Sequence, residues 1–245
     1  MPRRPQKKRW LPWVVVAALT ALTILYVATL PNPSELARTT PDLTALMQLR
    51  MEEAKDAGKK YRVRKRWVPL RAISPLLRDA IRVSEDADFY THDGFDFEEI
   101  QDAFTQGVRE GHFRGASTIS QQLVKNVYLS PSRNPVRKLS EAILTYRLEE
   151  NVEKNRILEL YLNLIEWGDG VFGIEEAART WFNESAFTLS PAQAVLLAAM
   201  VPMPLKTDPR TPSRWLKRRA KRLLDALKGL GRISDAEYDE AARAL

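Results

Sequence analysis

The feature that most constrains this 245-residue chain is a stretch without a single charged side chain, Trp10 to Leu30, 21 residues by position. At about 1.5 Å per helical residue, such a stretch spans a bilayer core of roughly 30 Å. It predicts one transmembrane helix over residues 10–30. Trp10, Trp13 and Tyr26 lie towards its ends, where amphipathic rings settle at membrane interfaces. Arg3, Arg4, Lys7, Lys8 and Arg9 precede it and account for five of the +7 formal charges. By the positive-inside rule this tail, residues 1–9, is cytoplasmic, and everything after Leu30 lies outside the inner membrane. A cleaved signal peptide is the competing reading, but the apolar run exceeds a signal core and no small-x-small site follows it. The expectation is an uncleaved, single-pass anchor.

Beyond the anchor the chain is ordinary in bulk, 44% hydrophobic and 28% charged over its whole length, enough for one sizeable core. It has no cysteine, which removes disulfides, thiolate metal sites and thiol nucleophiles, and only two histidines, His92 and His112, which disfavours a histidine metal centre. Residues 31–59 read as a linker and a membrane-proximal helix, opened by Thr40-Pro41 and closed by Gly58. Tyr61 to Trp67 alternates apolar and basic residues and is the one segment that suggests a strand. Helices are predicted over 96–110, 135–152, 157–165, 174–182 and 191–200, with Gly168, Gly170 and Gly173 between two of them. Residues 213–230 and 234–245 form basic and capped C-terminal helices, so the fold class is mainly α.

Three stretches carry chemistry. Ser74-Pro75 starts a helix whose stripe of Leu76, Leu77, Ala80, Ile81 and Val83 ends at Glu85 and Asp86, while Gly94 breaks the chain and Asp96 with Glu99 caps the next helix. A carboxylate at such a junction can be partly desolvated and raised towards a useful base, although a solvated acidic pair is the plainer reading. Next comes Arg114-Gly-Ala-Ser-Thr-Ile-Ser-Gln-Gln-Leu-Val-Lys-Asn126. Gly115 and Ala116 permit close approach, Ser117 or Thr118 can cap the following helix, and free N–H groups in its first turn suit an anion, as in a phosphate cradle. Gln121, Gln122, Lys125 and Asn126 add polar groups, which a solvated face also explains. Arg133, Arg137 and Lys138 then converge near Lys125 if two helices fold back on each other, and Glu141 falls on the face of Arg137 and Lys138, either as a plain salt bridge or as a second carboxylate beside a cationic pocket.

Taken together, Glu85-Asp-x-x-Phe89-x-x-His92-x-Gly94, Gly115-Ala-Ser-Thr-Ile-x-Gln-Gln-Leu-x-Lys-Asn126, Arg137-Lys-x-x-Glu141 and Lys154-x-x-Ile-Leu-Glu-x-Tyr-Leu-Asn163 resemble the ordered motifs of the peptidoglycan glycosyltransferases. These are the polymerase domains of class A penicillin-binding proteins and their monofunctional relatives. The likeness covers residues 60–210 and departs from the usual pattern at Ser140, Thr145 and Trp181-Phe-Asn183. It implies a lysozyme-like, two-lobed glycosyltransferase domain that joins lipid II into glycan strands with inversion, releasing a polyprenyl diphosphate. Residue by residue it implies Glu85 as the base, with Glu141 as a supporting catalytic carboxylate. Ser117, Thr118, Gln121, Gln122, Lys125, Asn126, Arg133, Arg137 and Lys138 would contact substrate. A divalent cation, Mg2+ or Mn2+, could bridge Glu141 and the pyrophosphate. The partners implied are lipid II, the lipid-linked growing strand, the membrane and cell-wall synthesis proteins, with no nucleic acid.

No Ser-x-x-Lys occurs, Lys206-Thr207 is followed by Asp208, and the residues from Pro209 to Leu245 are too few for a further domain, so a monofunctional enzyme without transpeptidase activity is expected. A lytic hydrolase of the same shape, with Glu85 as general acid, and an inactive scaffold using the basic helix Arg214–Arg222 are the alternatives. Against the hydrolase, a neutral leaving group needs no cationic pocket; against the scaffold, nothing requires carboxylates and cations at these spacings. The topology is directly testable. A reporter active only outside the cytoplasmic membrane, fused after Leu245, is expected to be active, and silence from that fusion would reverse the orientation.

Overall fold

The computed structural model describes residues 10–110, 117–129 and 134–245. Arg133, the Gly115-Ala116 pair and the cytoplasmic tail expected over 1–9 lie outside them. Among the described residues one helix, α1 (Leu11–Thr29), is apolar on every face and long enough to cross a membrane. It does not end in isolation. Arg147, on the later helix α6 (Pro135–Asn151), donates to the carbonyls of Val27 (3.1 Å), which also accepts from Leu30 N, and of Leu30 (3.5 Å) and Pro31 (3.5 Å), just past the helix end. Ser140 Oγ of α6 lies 2.6 Å from the Tyr26 hydroxyl. Tyr26 and Arg147 thus join the end of α1 to α6 through their side chains.

The membrane-proximal helix α2 (Ala45–Asp56) begins four residues later than Thr40-Pro41 suggested. The buried Thr44 is its cap, accepting from Met47 N at 3.2 Å, while Lys65 Nζ draws the carbonyls of Pro41 and Asp42 out of any helix at 2.8 Å each. Gly58, at φ +66°, ends it as expected. The strand proposed near Tyr61 to Trp67 shrinks to β1 (Arg64–Lys65), which pairs in parallel with β3 (Val171–Phe172); β3 in turn pairs antiparallel with β2 (Glu166–Gly168) through a bulge. Two- and three-residue strands are too short to show alternation, which is why β2 and β3 were hidden among the glycines.

Helices make up the rest: α3 (Pro75–Glu85), α4 (Phe97–Glu110), α5 (Ile119–Tyr128), α7 (Lys154–Leu164), α8 (Ile174–Phe182), α9 (Pro191–Met200), α10 (Arg214–Gly229) and α11 (Asp235–Ala244). The predicted caps Ser74, Thr118 and Ser234 all accept from the third residue of their helices, and Ser213, expected as the first residue of its helix, caps it in the same way. The centre is α9. Its Ala194, Val195, Leu197, Ala198, Ala199 and Met200 are fully buried, and its small residues let α3 and α10 approach closely. Leu216, Ala220, Leu223, Leu224 and Leu227 of α10 join the same hydrophobic cluster as Leu77 and Ile81 of α3 and Leu123 of α5. Residues 211–245 are therefore part of the main body rather than an appended basic segment.

The fourth motif builds the scaffold. Asn163, wholly buried on α7, accepts from Val68 N (2.9 Å) and donates to the carbonyls of Val68 (2.9 Å) and Glu159 (2.8 Å). Glu159 accepts from Leu70 N at 2.7 Å. Together they fasten the segment that leads into α3. Asn163→Ala would strand both backbone groups of Val68 away from water, a loss of about 2–4 kcal/mol. The expected outcome is a melting temperature lower by several degrees in a thermal scan, and an unchanged melt would refute this clamp.

Candidate active site

Asp86 sets the geometry of the site. With φ −171° and ψ 80° it leaves the helical region, so α3 stops at Glu85. Its buried carboxylate then accepts from Ile119 N of α5 through Oδ2 (2.9 Å) and bonds His92 Nε2 through Oδ1 (2.8 Å). Gly94 N donates to His92 Nδ1 at 3.1 Å, which assigns the proton of the neutral ring to Nε2. Thr118 Oγ1 donates to Gly94 O at 2.8 Å. Gly94 is required here: φ is +89°, and a Cβ would lie 2.8 Å from Thr145 Cγ2 and 2.9 Å from Glu149 Cγ of α6. The His-Gly element of the first motif is thus a loop wedged between α5 and α6.

This network changes the reading of the second motif. The start of α5 does bind an anion, but the anion is the protein's own Asp86, and Gln121 N is taken by Thr118 Oγ1 at 3.2 Å. Gln121 Oε1 returns a bond from Thr118 N at 3.1 Å, closing a capping box. Thr118 and Gln121, expected to touch substrate, are buried in that cap, and the phosphate cradle expected at the first turn is filled from within. Ser117 is half-buried and uses its carbonyl, which accepts from Gln122 Nε2 at 3.3 Å.

Glu85, one residue before Asp86, turns the other way. Its Oε1 accepts from Ser84 Oγ (2.9 Å) and Arg219 Nη2 (3.2 Å), and its Oε2 from Gln122 Nε2 (3.2 Å). Behind it, the fully buried Tyr161 donates to Gln122 Oε1 at 3.0 Å and so orients the amide. Burial raises the Glu85 carboxyl above the ordinary glutamate range, and the bonds from Gln122, Ser84 and Arg219 only partly counter it. Tyr161 is pushed up too, by burial and then by the charges of Glu85 and Asp86, so its hydroxyl stays protonated and donates.

Three residues along α5 from Gln122, on the same face, stands Lys125. It keeps contact with solvent, yet the surrounding protein lowers its affinity for a proton; Glu141 opposes that shift while Arg137 and Lys138 add to it. Among the described residues Lys125 has no ion-pair partner. Glu141, buried on α6, accepts from Arg137 Nη1 at 2.8 Å and from Lys138 Nζ, as the three- and four-residue spacings predicted. Asn126 and Gln122 share with Lys125 a cavity of about 110 Å3 against Tyr161 and Glu166. Both oxygens of Glu141 are engaged by Arg137 and Lys138, and no group of three or more potential metal ligands occurs among the described residues.

A family model described as Transglycosylase matches residues 52–228, from α2 through α10. The chain belongs to the transglycosylase family. Proteins named biosynthetic peptidoglycan transglycosylase match it closely. The one from Nitrosospira multiformis is 46% identical over 185 residues, 75% of this chain and 80% of its own length, and the one from Laribacter hongkongensis is 45% identical over 215 residues, covering 86% and 94%. That from Azoarcus sp. is 42% identical, over 82% of this chain and 87% of its own length. The match runs past residue 210, in keeping with the burial of α10 in this transglycosylase. Its departures from the usual pattern have local explanations. Ser140 meets Tyr26 of the anchor, and Asn183 holds a left-handed conformation, φ 56°, that a glycine adopts readily. For the unpaired buried hydroxyl of Thr145 the structure offers no explanation.

Arg219 was missed from the sequence because it lies in a run of cations. The signal was present: Leu216, Ala220, Leu223 and Leu227 define a buried stripe that includes position 219, unlike 217 and 218.

The two adjacent carboxylates should separate in a thermal melt. Asp86→Asn weakens two charge-assisted bonds in the buried network and should cost about 1.5–3 kcal/mol. Glu85 has a folded pKa above its unfolded one, so above that value its ionised form costs stability, and Glu85→Gln is expected to melt no lower than the parent at pH 8. The reverse order of melting temperatures would refute this division of roles.

Proposed function

We propose that this chain polymerises lipid II into glycan strands. The single observation that carries the reading is a desolvated carboxylate, Glu85, held by Gln122 of α5, with Lys125, a cation without an ion-pair partner among the described residues, one turn further along the same face. In a transfer with inversion, Glu85 takes the proton of the acceptor 4-hydroxyl as that oxygen attacks the donor anomeric carbon. The bond from that carbon to the diphosphate oxygen breaks, and the diphosphate leaves with its electron pair. Lys125 and Arg137 meet the growing charge, with Lys138 and Glu141 ordering the cations behind them. Arg133 is expected to join this pocket, though it lies outside the described residues.

The membrane supports the same reading. Arg137, Lys138 and Glu141 lie within one turn of Ser140, which touches Tyr26 near the end of α1, and this closeness to the end of the apolar helix supports a pocket near the bilayer surface. That is the height at which the diphosphate of a polyprenyl lipid is found. Val136, Leu139 and Tyr146 expose apolar surface on the same helix. The proposed orientation keeps residues 1–9 in the cytoplasm and the site outside it. The shared name of the relatives, biosynthetic peptidoglycan transglycosylase, favours polymerisation over cleavage, and so does a cationic pocket that a neutral sugar leaving group does not need.

Labelled lipid II presented to the purified protein tests the proposal. Polymer is the expected product, and cleavage of preformed strands without polymer would replace polymerase by hydrolase. Folded Glu85→Gln should lose about 10²–10⁴-fold in rate. Lys125→Ala, which removes one charge-assisted contact, should lose roughly ten- to a hundredfold. Near-parental rates in folded Glu85→Gln would overturn the base assignment, and a Lys125→Ala rate within a factor of about two would overturn the cationic site.

A further inference from the structure

The helix that carries Arg219 is held firmly. Leu216, Ala220 and Leu223 of α10 are buried against α9 and α3, so the backbone of residue 219 is fixed opposite the end of α3. Its Nη2 donates to Ser84 Oγ at 2.8 Å and to Glu85 Oε1 at 3.2 Å, while its Nε is buried without a partner. A guanidinium with an unmet donor is placed there at a cost, and the one charged group it contacts among the described residues is the proposed base.

The other elements around Glu85 bring little charge to it. From α5 come the neutral Gln122, in contact, and Lys125, one turn further on and coupled to the Glu85 charge, while Arg222 of α10 lines the same cavity as Ser84 and Arg219. Tyr161 of α7 is protonated and bonded to Gln122, and α9 carries no ionisable side chain. Asp86 is turned away, its oxygens bonded to His92 and Ile119 N. Arg82 pairs with Asp79 on α3. Among the described residues Arg219 is thus the one cation in contact with the Glu85 carboxylate.

We propose that Arg219 is a positioning residue for the transfer step: its guanidinium keeps Glu85 ionised in a desolvated pocket and fixes Oε1, leaving Oε2 beside Gln122 to receive the acceptor proton. The inference rests on Glu85 being the base. Removing Arg219 leaves the burial that disfavours the carboxylate unopposed by a charge, so Glu85 binds a proton at higher pH. The idle fraction of enzyme then grows on acidification, while the rate at high pH survives because the base itself remains.

The test is the pH dependence of lipid II polymerisation for the full-length parent, Arg219→Gln, Arg219→Lys and Glu85→Gln, each with a thermal melt. In Arg219→Gln the acid limb should move up by about one pH unit or more, with kcat at high pH within about tenfold of the parent and KM little changed. Arg219→Lys, which keeps the charge on a more flexible stem, should fall between the two and serves as the folded variant if Arg219→Gln does not fold. An acid limb that stays in place in a folded Arg219 variant, whether the rate is unchanged or lowered equally at every pH, overturns the proposal for Arg219 alone. Retained activity in Glu85→Gln would instead overturn the base assignment beneath it.

Discussion

Everything in the site hangs on where the Asp86 carboxylate goes. By accepting from the backbone of Ile119 and bonding His92, it ties the end of α3 to the start of α5 and closes the loop between them. A buried carboxylate is tolerable only when its lone pairs are filled, and here a helix start and a ring N–H fill them. Because successive side chains on a helix point about 100° apart, fixing Asp86 inwards sends Glu85 towards the cleft. The acidic dipeptide is a division of labour in which one member is sacrificed to structure so that the other can remain poorly satisfied.

Poor satisfaction recurs. Glu85 is desolvated more than its partners compensate, Lys125 is a cation crowded by Arg137 and Lys138, and Arg219 keeps a buried donor unmet. In a stable core such groups would be removed by selection for packing, since each raises the energy of the folded chain. Glu85 touches Gln122 of α5 and Arg219 of α10, with Lys125 one turn further along α5, whereas the motif residues Asn163, Thr118 and Gln121 have their polar groups engaged. The contrast separates residues that hold the site from residues that act in it, a distinction that motif membership alone does not make.

Much of this was legible in the sequence, for identifiable reasons. Helix bounds from Ile174 and Pro191 were readable because a glycine or a Ser-Pro signal sits at each start, and the Arg137, Lys138 and Glu141 cluster followed from helical spacing. The hidden parts depend on long-range partners. That the first turn of α5 is capped by a carboxylate 33 positions earlier cannot be seen from local pattern. Nor can the contact between Arg219 and Glu85, 134 positions apart, where a basic helix looks like a solvated one until its apolar stripe is weighed. The start of α2 slipped because Lys65, from across the chain, captures the carbonyls of residues 41 and 42.

The joint between anchor and body has a consequence of its own. A flexible linker would let the domain roam above the bilayer, but the Tyr26 hydroxyl grips Ser140 and Arg147 grips the last carbonyls of α1, on the very helix that carries Arg137 and Glu141. Such a joint makes α1 and α6 a single lever. A span that is too long or too short for its bilayer adjusts by tilting, and tilt in α1 is passed to α6 as a change in the height of the cations.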